Sequence, residues 1–275
     1  MEIFHKPVLL QEVCHYLAVK PQGRYIDATL GGGGHTQEII KGQGLVLGLD
    51  QDPDALNACP RLDGLTPVLA NFTHLKEVAA AKSWTEVDGV LFDLGVSSHQ
   101  FSTPSRGFSF QLDGPLDMRM DPTLNYTAAD LINTLSDREL EYMFKTYGEE
   151  PQSKQIARKI IQARPITTTR QLAMVIQSDS QRRRVFQALR IAVNNELDSL
   201  EQALPQALSL LTSGGRIVVI SFHSLEDRIV KNQFREWEKS DLGHILTPKP
   251  VLPGQDEINL NSKAKSAKLR AFLKK

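Results

Sequence analysis

The sequence predicts a doubly wound α/β fold, in which a parallel sheet carries helices on both faces. Short apolar runs alternate with segments of helical periodicity, as in chains whose strands are joined by helical crossovers. One run, Leu45–Asp50, is apolar almost throughout, which is typical of a parallel strand buried on both faces. Four consecutive glycines, Gly31 to Gly34, follow the first predicted strand and precede a helical stretch, as a ligand-binding turn would.

The predicted elements follow one another in a regular order. Strands are predicted at 24–28, Leu45–Asp50, 67–70, 87–94 and 216–221, the last preceded by the turn Ser213-Gly214-Gly215. Helices are predicted at 8–17, from His35 onward and at 54–59. In such a sheet the carboxyl ends of the strands form the ligand-binding edge.

About 120 residues with little strand character separate the fourth and fifth strands. Because a crossover needs only about a dozen residues, we interpret this stretch as an insertion. We expect a first domain of residues 1–103 and 206–275, with an inserted loop and helical domain at 104–205. Thr127, Ser136 and Thr168 each stand three positions before an Asp, Glu or Gln, a pattern that caps helices.

The first part of the insertion, 95–120, is rich in glycine, serine, proline and aspartate. Long loops without regular structure are uncommon and are usually functional or disordered. Phe108, Leu116 and Met118 are too apolar for a permanently solvated linker, so we expect a mobile cover that orders over bound ligands.

Composition limits the compartment and the partners. The formal net charge is zero, so a nucleic-acid partner would have to contact local basic segments, of which 181–190 and 262–275 are the clearest. The alternative for both segments is a solvated surface. Two isolated cysteines, Cys14 and Cys59, favour a reducing compartment. With neither a signal peptide nor a membrane span predicted, we expect a cytoplasmic protein.

The glycine turn favours a ligand with an anionic group. Glycines let the backbone approach a ligand closely, and the amides at a helix N-terminus favour negative charge. A dinucleotide fingerprint would place a third glycine where Thr36 stands, which weakens the case for a nicotinamide cofactor. A ligand whose anionic group is the carboxylate of a methionine would need no pyrophosphate-binding turn, so the missing glycine does not argue against it.

Three further residues follow predicted strands at the same edge. Asp50 ends the second strand and is predicted to bind the ribose hydroxyls of an adenosine, although it could instead cap the next helix. Phe72 could flank adenine or belong to the core. Asp93 ends the fourth strand and is predicted to point into the crevice beside Gly31 to His35, with a loop-capping role as the alternative.

His223 follows the fifth strand, where it could touch substrate, but a structural role is favoured. No G-x-S-x-G elbow and no histidine and cysteine spacing of a zinc site occur in the sequence, so neither a serine hydrolase nor a metal centre is predicted.

Together these motifs resemble one family, the bacterial 16S ribosomal RNA cytosine N4-methyltransferases, also called the MraW family. The resemblance spans nearly the whole chain, in the family's order. It rests on residues 5–10, 27–35, 93–98 with Gln100, 106–110, 113–120, 147–150, 186–193 and 220–231.

The resemblance implies a class I methyltransferase fold with a helical insertion, and S-adenosylmethionine as cofactor. It also implies methyl transfer to N4 of a cytidine in the decoding region of small-subunit ribosomal RNA, so that the partner is this RNA or the small ribosomal subunit. By motif position, the cofactor contacts would be Gly33, Gly34, His35, Asp50, Phe72, Asp93 and Gln100.

Several points stay open at this stage. Asp93 is the leading candidate to accept a hydrogen bond from the cytosine amine, followed by Asp117, but no catalytic residue is assigned. The alternatives to the methyltransferase are a nicotinamide-dependent oxidoreductase and a non-catalytic RNA-binding or ribosome assembly protein. The intact glycine turn with Asp50 and Asp93 argues against the second of these. The oligomeric state is not predicted.

Overall fold

A computed structural model describes residues 7–275, so that His5 and Lys6, which contribute to the family resemblance, lie outside the described residues. The chain divides into two compact units. The first comprises the residues up to Gly95 together with Leu197–Lys275, and the second comprises Val96–Glu196. The domain boundaries predicted from the sequence, at the two ends of 104–205, each lie several residues closer to the C-terminus than these. The later one would cut a continuous helix, Glu196–Leu210, that runs through Pro205.

The described part of the first unit contains a seven-stranded sheet in the order β3-β2-β1-β4-β5-β7-β6. Neighbouring strands from β3 to β5 are parallel, whereas β7 runs antiparallel between β5 and β6. The five predicted strands are therefore confirmed, but the fifth begins at Leu211 and includes the predicted turn at 213–215, where its pairing with the fourth strand is irregular. The strands are β1 (Arg24–Asp27), β2 (Leu45–Asp50), β3 (Leu65–Leu69), β4 (Val87–Asp93), β5 (Leu211–Ser221), β6 (Gly243–Ile245) and β7 (Lys268–Lys274).

The helices precede, connect and follow these strands or build the second unit. They are α1 (Leu10–Leu17), α2 (Gly34–Lys41), α3 (Pro53–Ala58), α4 (Leu75–Ala81), α5 (Ser98–Ser102), α6 (Ala128–Thr134), α7 (Asp137–Thr146), α8 (Ser153–Ala163), α9 (Thr169–Val175), α10 (Asp179–Asn194), α11 (Glu196–Leu210), α12 (Ser224–Lys239) and α13 (Gln255–Leu260). None of the helices within residues 7–275 is long and apolar enough to cross a membrane.

Both faces of the sheet are buried, as the unbroken apolar runs predict. Successive side chains of a strand point to opposite faces, and neighbours on β4 accordingly join different apolar clusters. Val90 and Phe92 pack in one cluster with Leu204 of α11. Leu91 packs in the other with Leu17 of α1. The sheet thus has helices on each side, which confirms the doubly wound architecture.

The end of the chain differs from the prediction. We expected 262–275 to be a basic surface segment, but residues 268–274 form β7, with Leu269 to Phe272 buried. Arg270 can lie in the core because its guanidinium donates to Asp227 at 2.6 Å. The Lys274 ammonium donates to two backbone carbonyls, those of Leu208 and Leu211. Neither of these cations is left for a phosphate.

The second unit is helical, as predicted. Thr127, Ser136 and Thr168 each form a reciprocal capping box with the residue three positions later, which confirms the predicted helix starts. Ser178 caps α10 in the same way. The predicted apolar stripes form the core of this unit, with Leu140, Phe144 and Leu189 fully buried.

The loop at 95–120 is more ordered than expected. Phe108, Leu116 and Met118 are buried in the core of the second unit. Asn194 of α10 holds the end of the loop, since its carbonyl oxygen accepts from the Met120 amide at 2.7 Å and its amide donates to the Met118 carbonyl at 2.8 Å. The apolar residues Phe108, Leu116, Met118 and Met120 are therefore packed in a core, whereas 111–113 are exposed, and the mobile cover stays a prediction.

Candidate cofactor site

The glycine run forms a tight turn between β1 and α2. Gly31 and Gly33 have φ values of +51° and +76°, a left-handed conformation that favours glycine. A Cβ on Gly33 would lie 2.7 Å from Sγ of Cys59, which no side chain can tolerate without a shift. No side chain of the described residues caps the start of α2. The amides of its first turn therefore suit an anionic ligand group.

Asp27 and Thr36 hold this turn together. The Thr36 hydroxyl donates to Oδ2 of Asp27 at 2.7 Å, and Oδ1 of Asp27 accepts from the Thr29 amide at 3.2 Å. Burial raises the pKa of Asp27, whereas these donors and the nearby His35 act against the shift. Thr36, which replaces a fingerprint glycine, therefore has its own structural function in fixing α2 against β1.

Asp50 lies at the end of β2 and faces the glycine turn. Its Oδ2 accepts from the Gly31 amide at 2.8 Å, and its Oδ1 accepts from the Asp52 amide at 2.9 Å. Asp52, and not Asp50, is the N-cap of α3, so the capping alternative for Asp50 is wrong. Burial raises the pKa of Asp50 to about 6, although the two amide donors favour the carboxylate. Each oxygen retains a lone pair for a further donor.

His35 and Asp93 lie beside each other, as the sequence predicts. Nδ1 of His35 lies 3.5 Å from Oδ2 of Asp93. Nε2 of His35 lies 2.9 Å from the Val8 carbonyl, which can only accept, so Nε2 carries the proton. Burial lowers the pKa of His35, which favours the neutral ring. Nδ1 therefore presents a lone pair towards Asp93.

Backbone contacts connect this pair to the turn. The Asp93 amide donates to the hydroxyl of Thr29 at 2.7 Å, so the end of β4 is held against the end of β1. Thr29 and Asp27 thus connect the backbone amide of Asp93 to Thr36 at the start of α2 through hydrogen bonds. This part of the site needs the sheet, because its members are far apart in sequence.

Phe72 and Gln100, the other two predicted cofactor contacts, have partners elsewhere in the protein. Phe72 follows β3, is partly buried, and meets Phe92 edge to face with ring centroids 5.7 Å apart. It therefore packs on the core, and contact with adenine stays a prediction. Gln100 belongs to the second unit, where its side-chain oxygen accepts from the Ser97 amide at 2.9 Å in the capping box of α5.

Two residues considered for substrate contact have structural partners. His223 caps α12, and its Nε2 lies 3.0 Å from the buried carboxylate of Glu226, as favoured from the sequence. In the second unit, the Asp117 carboxylate accepts hydrogen bonds from Nε and Nη2 of Arg119, each at 2.8 Å. Burial alone would raise the pKa of Asp117, but Arg119 more than offsets it and the pKa is lowered. Asp117 is thus committed to an ion pair.

In the basic segment at 181–190, which the sequence predicts to contact RNA or to be a solvated surface, two of the arginines have partners within the protein. Arg182 donates to the carbonyls of Ala173 and Ile176, and Arg184 forms a 2.6 Å ion pair with Glu150, which is 1% exposed. Arg182 and Arg184 are therefore held by partners within the second unit, whereas Arg183 between them is exposed.

The sheet order, with its antiparallel seventh strand, and the glycine turn beside Asp50 and Asp93 define a class I methyltransferase fold. The chain belongs to the MraW methylase family, whose model matches residues 2–275. It is 49% identical to the ribosomal RNA small subunit methyltransferase H of Carboxydothermus hydrogenoformans, over 98% of each chain. It is 47% identical to the protein of the same name from Thermomicrobium roseum, over 97% of this chain and 92% of that one.

Family membership makes this protein a methyltransferase that uses S-adenosylmethionine, and it removes the oxidoreductase and the non-catalytic protein as alternatives. The site fits that cofactor. Asp50 offers the acceptor oxygens that ribose hydroxyls need, and the uncapped start of α2 offers amides to a carboxylate.

Proposed function

We propose that this protein methylates N4 of a cytidine in the decoding region of small-subunit ribosomal RNA. The observation that carries the proposal is the family match across residues 2–275, together with relatives that are named as methyltransferases of this RNA. The motif resemblance supports the finer assignment to cytidine N4.

The proposed cofactor contacts follow from the chemistry of each group. Asp50 accepts the ribose hydroxyls, and Phe72 flanks the adenine. The turn at Gly33 and Gly34 admits the methionine part of the cofactor, whose carboxylate meets the amides of α2. His35, Asp93 and Gln100 complete the set, the last on the family resemblance alone.

When bound, S-adenosylmethionine supplies an electrophilic methyl group on a sulfonium centre. The cytosine amine is a weak nucleophile because its lone pair is delocalised into the ring. A carboxylate oxygen of Asp93 would accept a hydrogen bond from this amine and favour a more pyramidal nitrogen. As the nitrogen–carbon bond forms and the carbon–sulfur bond breaks, the amine loses one proton. Asp93 would take that proton on Oδ2, where Nδ1 of His35 offers a lone pair 3.5 Å away.

The direct test is to incubate the purified protein with unmodified small ribosomal subunits and S-adenosylmethionine, then digest the RNA and separate the nucleosides. We expect N4-methylcytidine from a fragment of the decoding region. At saturating S-adenosylmethionine, Asp93→Asn should transfer the methyl group far more slowly, because it cannot take the proton. Formation of 5-methylcytidine, or methylation of another RNA alone, would contradict the proposal.

The role of Asp50 predicts a pH dependence of cofactor binding. We expect S-adenosylhomocysteine to bind about tenfold more weakly at pH 5 than at pH 7. With a pKa of about 6, Asp50 is mostly protonated at pH 5 and then accepts hydrogen bonds poorly. Calorimetric titrations between pH 5 and 7 measure the change.

Asp50→Asn is the matched control, since it keeps an acceptor oxygen but cannot titrate. Its affinity should be lower than that of the unmodified protein at pH 7 and nearly constant across the range. An equal fall in both proteins would assign the pH dependence to another group, such as His35.

A further inference from the structure

The second unit carries its charges unevenly along the chain. Residues 121–150 contain seven Asp and Glu against two Lys and Arg. Residues 151–195 contain nine Lys and Arg against a single acidic residue, Asp179. Because α8, α9 and α10 come from this second stretch, they are strongly basic although the chain as a whole is neutral.

Four of these nine cations have partners within the unit. Arg164 donates to the carbonyls of Ile132 and Leu135, and Arg190 pairs with Glu196 at 2.8 Å. Arg182 and Arg184 form the contacts described above. The other five cations are on α8, α9 and α10, and most are well exposed: Lys154, Arg158, Lys159, Arg170 and Arg183. Two of them form only long ion pairs, Arg158 with Asp137 at 4.0 Å and Arg170 with Asp113 at 3.9 Å.

Two of the five lie next to a groove between α8 and α9. The groove has a volume of about 450 Å³ and is lined by Lys159, Gln162, Ala163, Met174, Val175 and Gln177. The side chain of Lys159 forms no hydrogen bond or ion pair with any residue in 7–275. Arg170 precedes Met174 by four positions and so lies on the same face of α9. Its ion pair with Asp113 is long, at 3.9 Å, and exposed.

Met174 is the unusual member of this surface. It is 75% exposed, although a large apolar side chain gains stability when it is buried. It lies beside Val175, and the two amides of Gln162 and Gln177 line the same groove. A surface with one apolar wall, amide groups and adjacent cations suits a nucleotide, which combines an apolar ring face, polar ring edges and a phosphate.

We propose that the groove between α8 and α9 binds a single-stranded segment of the substrate RNA. Lys159 and Arg170 contact phosphates, a base packs on Met174 and Val175, and the glutamine amides meet the edge of that base. Charge complementarity selects RNA over a second copy of the chain, because two such basic surfaces repel each other. This inference rests on the proposed function and names the substrate-binding surface for it.

The test compares two double variants that remove the same charges. Lys159→Gln/Arg170→Gln changes the groove, and Arg138→Gln/Lys145→Gln changes two exposed cations of α7 in the acidic stretch. The probe is a fluorescent transcript of the decoding region of small-subunit ribosomal RNA. We expect the groove variant to bind about five- to tenfold more weakly at 0.1 M salt, as for two exposed ion pairs. The slope of log affinity against log salt should fall by about 1.4, or 0.7 for each phosphate contact.

Met174→Ser separates the base contact from the phosphate contacts. It should weaken binding about three- to tenfold with an unchanged salt slope, because it removes apolar contact and no charge. Affinity for S-adenosylhomocysteine should be unchanged in all variants, which also shows that they are folded.

The outcomes distinguish this inference from the proposed function. If both double variants bind the transcript equally, or if Met174→Ser changes only the self-association of the protein, the groove is not the RNA surface. The methylation of small subunits by the unmodified protein would still stand. If the unmodified protein methylates no ribosomal cytidine, the proposed function fails, whatever the groove binds.

Discussion

Gly33→Val is expected to weaken S-adenosylhomocysteine binding more than 100-fold in a protein that still folds. The φ of +76° costs a residue with a Cβ about 1–2 kcal/mol, and more for a β-branched one. The new Cβ would also lie 2.7 Å from Sγ of Cys59. Rotation of the Cys59 side chain can relieve this contact, but the valine side chain would still block the close approach of the cofactor to the backbone of the turn. The strain lowers stability, and the loss of close approach lowers affinity, for which a 100-fold change corresponds to about 2.8 kcal/mol. Calorimetry measures the affinity and circular dichroism measures folding.

Two controls separate the causes of this loss. Gly214→Val introduces the same side chain at a φ of +79°, where no described atom lies within 4 Å of the new Cβ. It should lower stability but leave the affinity unchanged. Cys59→Ala combined with Gly33→Ala should bind better than Gly33→Ala alone, because the sulfur is gone while the strain persists. Near-normal affinity of folded Gly33→Val would show that the turn does not approach the cofactor.

Arg184→Ala is expected to lower the free energy of unfolding by about 2–3 kcal/mol. It removes the 2.6 Å partner of Glu150 and leaves a carboxylate that is 1% exposed with only the Gln152 amide as a donor, at 2.8 Å. Loss of one member of a fully buried pair costs about 3–5 kcal/mol. The expected value is smaller because the Arg184 side chain is 36% exposed, so that water can reach part of the gap. Urea unfolding followed by circular dichroism measures the change.

Arg183→Ala is the matched control for this prediction, since it removes the adjacent, exposed cation of the same helix. Its effect on the free energy of unfolding should stay within about 0.5 kcal/mol. Glu150→Gln in the Arg184→Ala background should recover part of the loss, because it removes the unpaired charge. Equal effects of the two arginine substitutions would show that the Glu150 ion pair contributes nothing to stability.

Local patterns were enough to predict much of the molecule. The central parallel strands follow from apolar runs, because a strand buried on both faces must be apolar almost throughout, whereas the edge strand β3 is partly exposed. The helix starts at Thr127, Ser136 and Thr168 follow from residues only three positions apart. The glycine turn is also local, and the parallel order of the strands then predicts that the carboxylates at the ends of β2 and β4 lie at the same edge.

Long-range contacts decided what the local patterns left open. The basic tail could become β7 only because Asp227, 43 residues away, neutralises Arg270 inside the sheet. Arg184 likewise neutralises the buried Glu150, and Asn194 holds the end of the loop at 95–120. The sequence by itself therefore determined which segments become strands, helices and the cofactor turn. The tertiary structure decided which charged and apolar side chains are buried, because burying a charge depends on a partner that only folding brings within hydrogen-bonding distance.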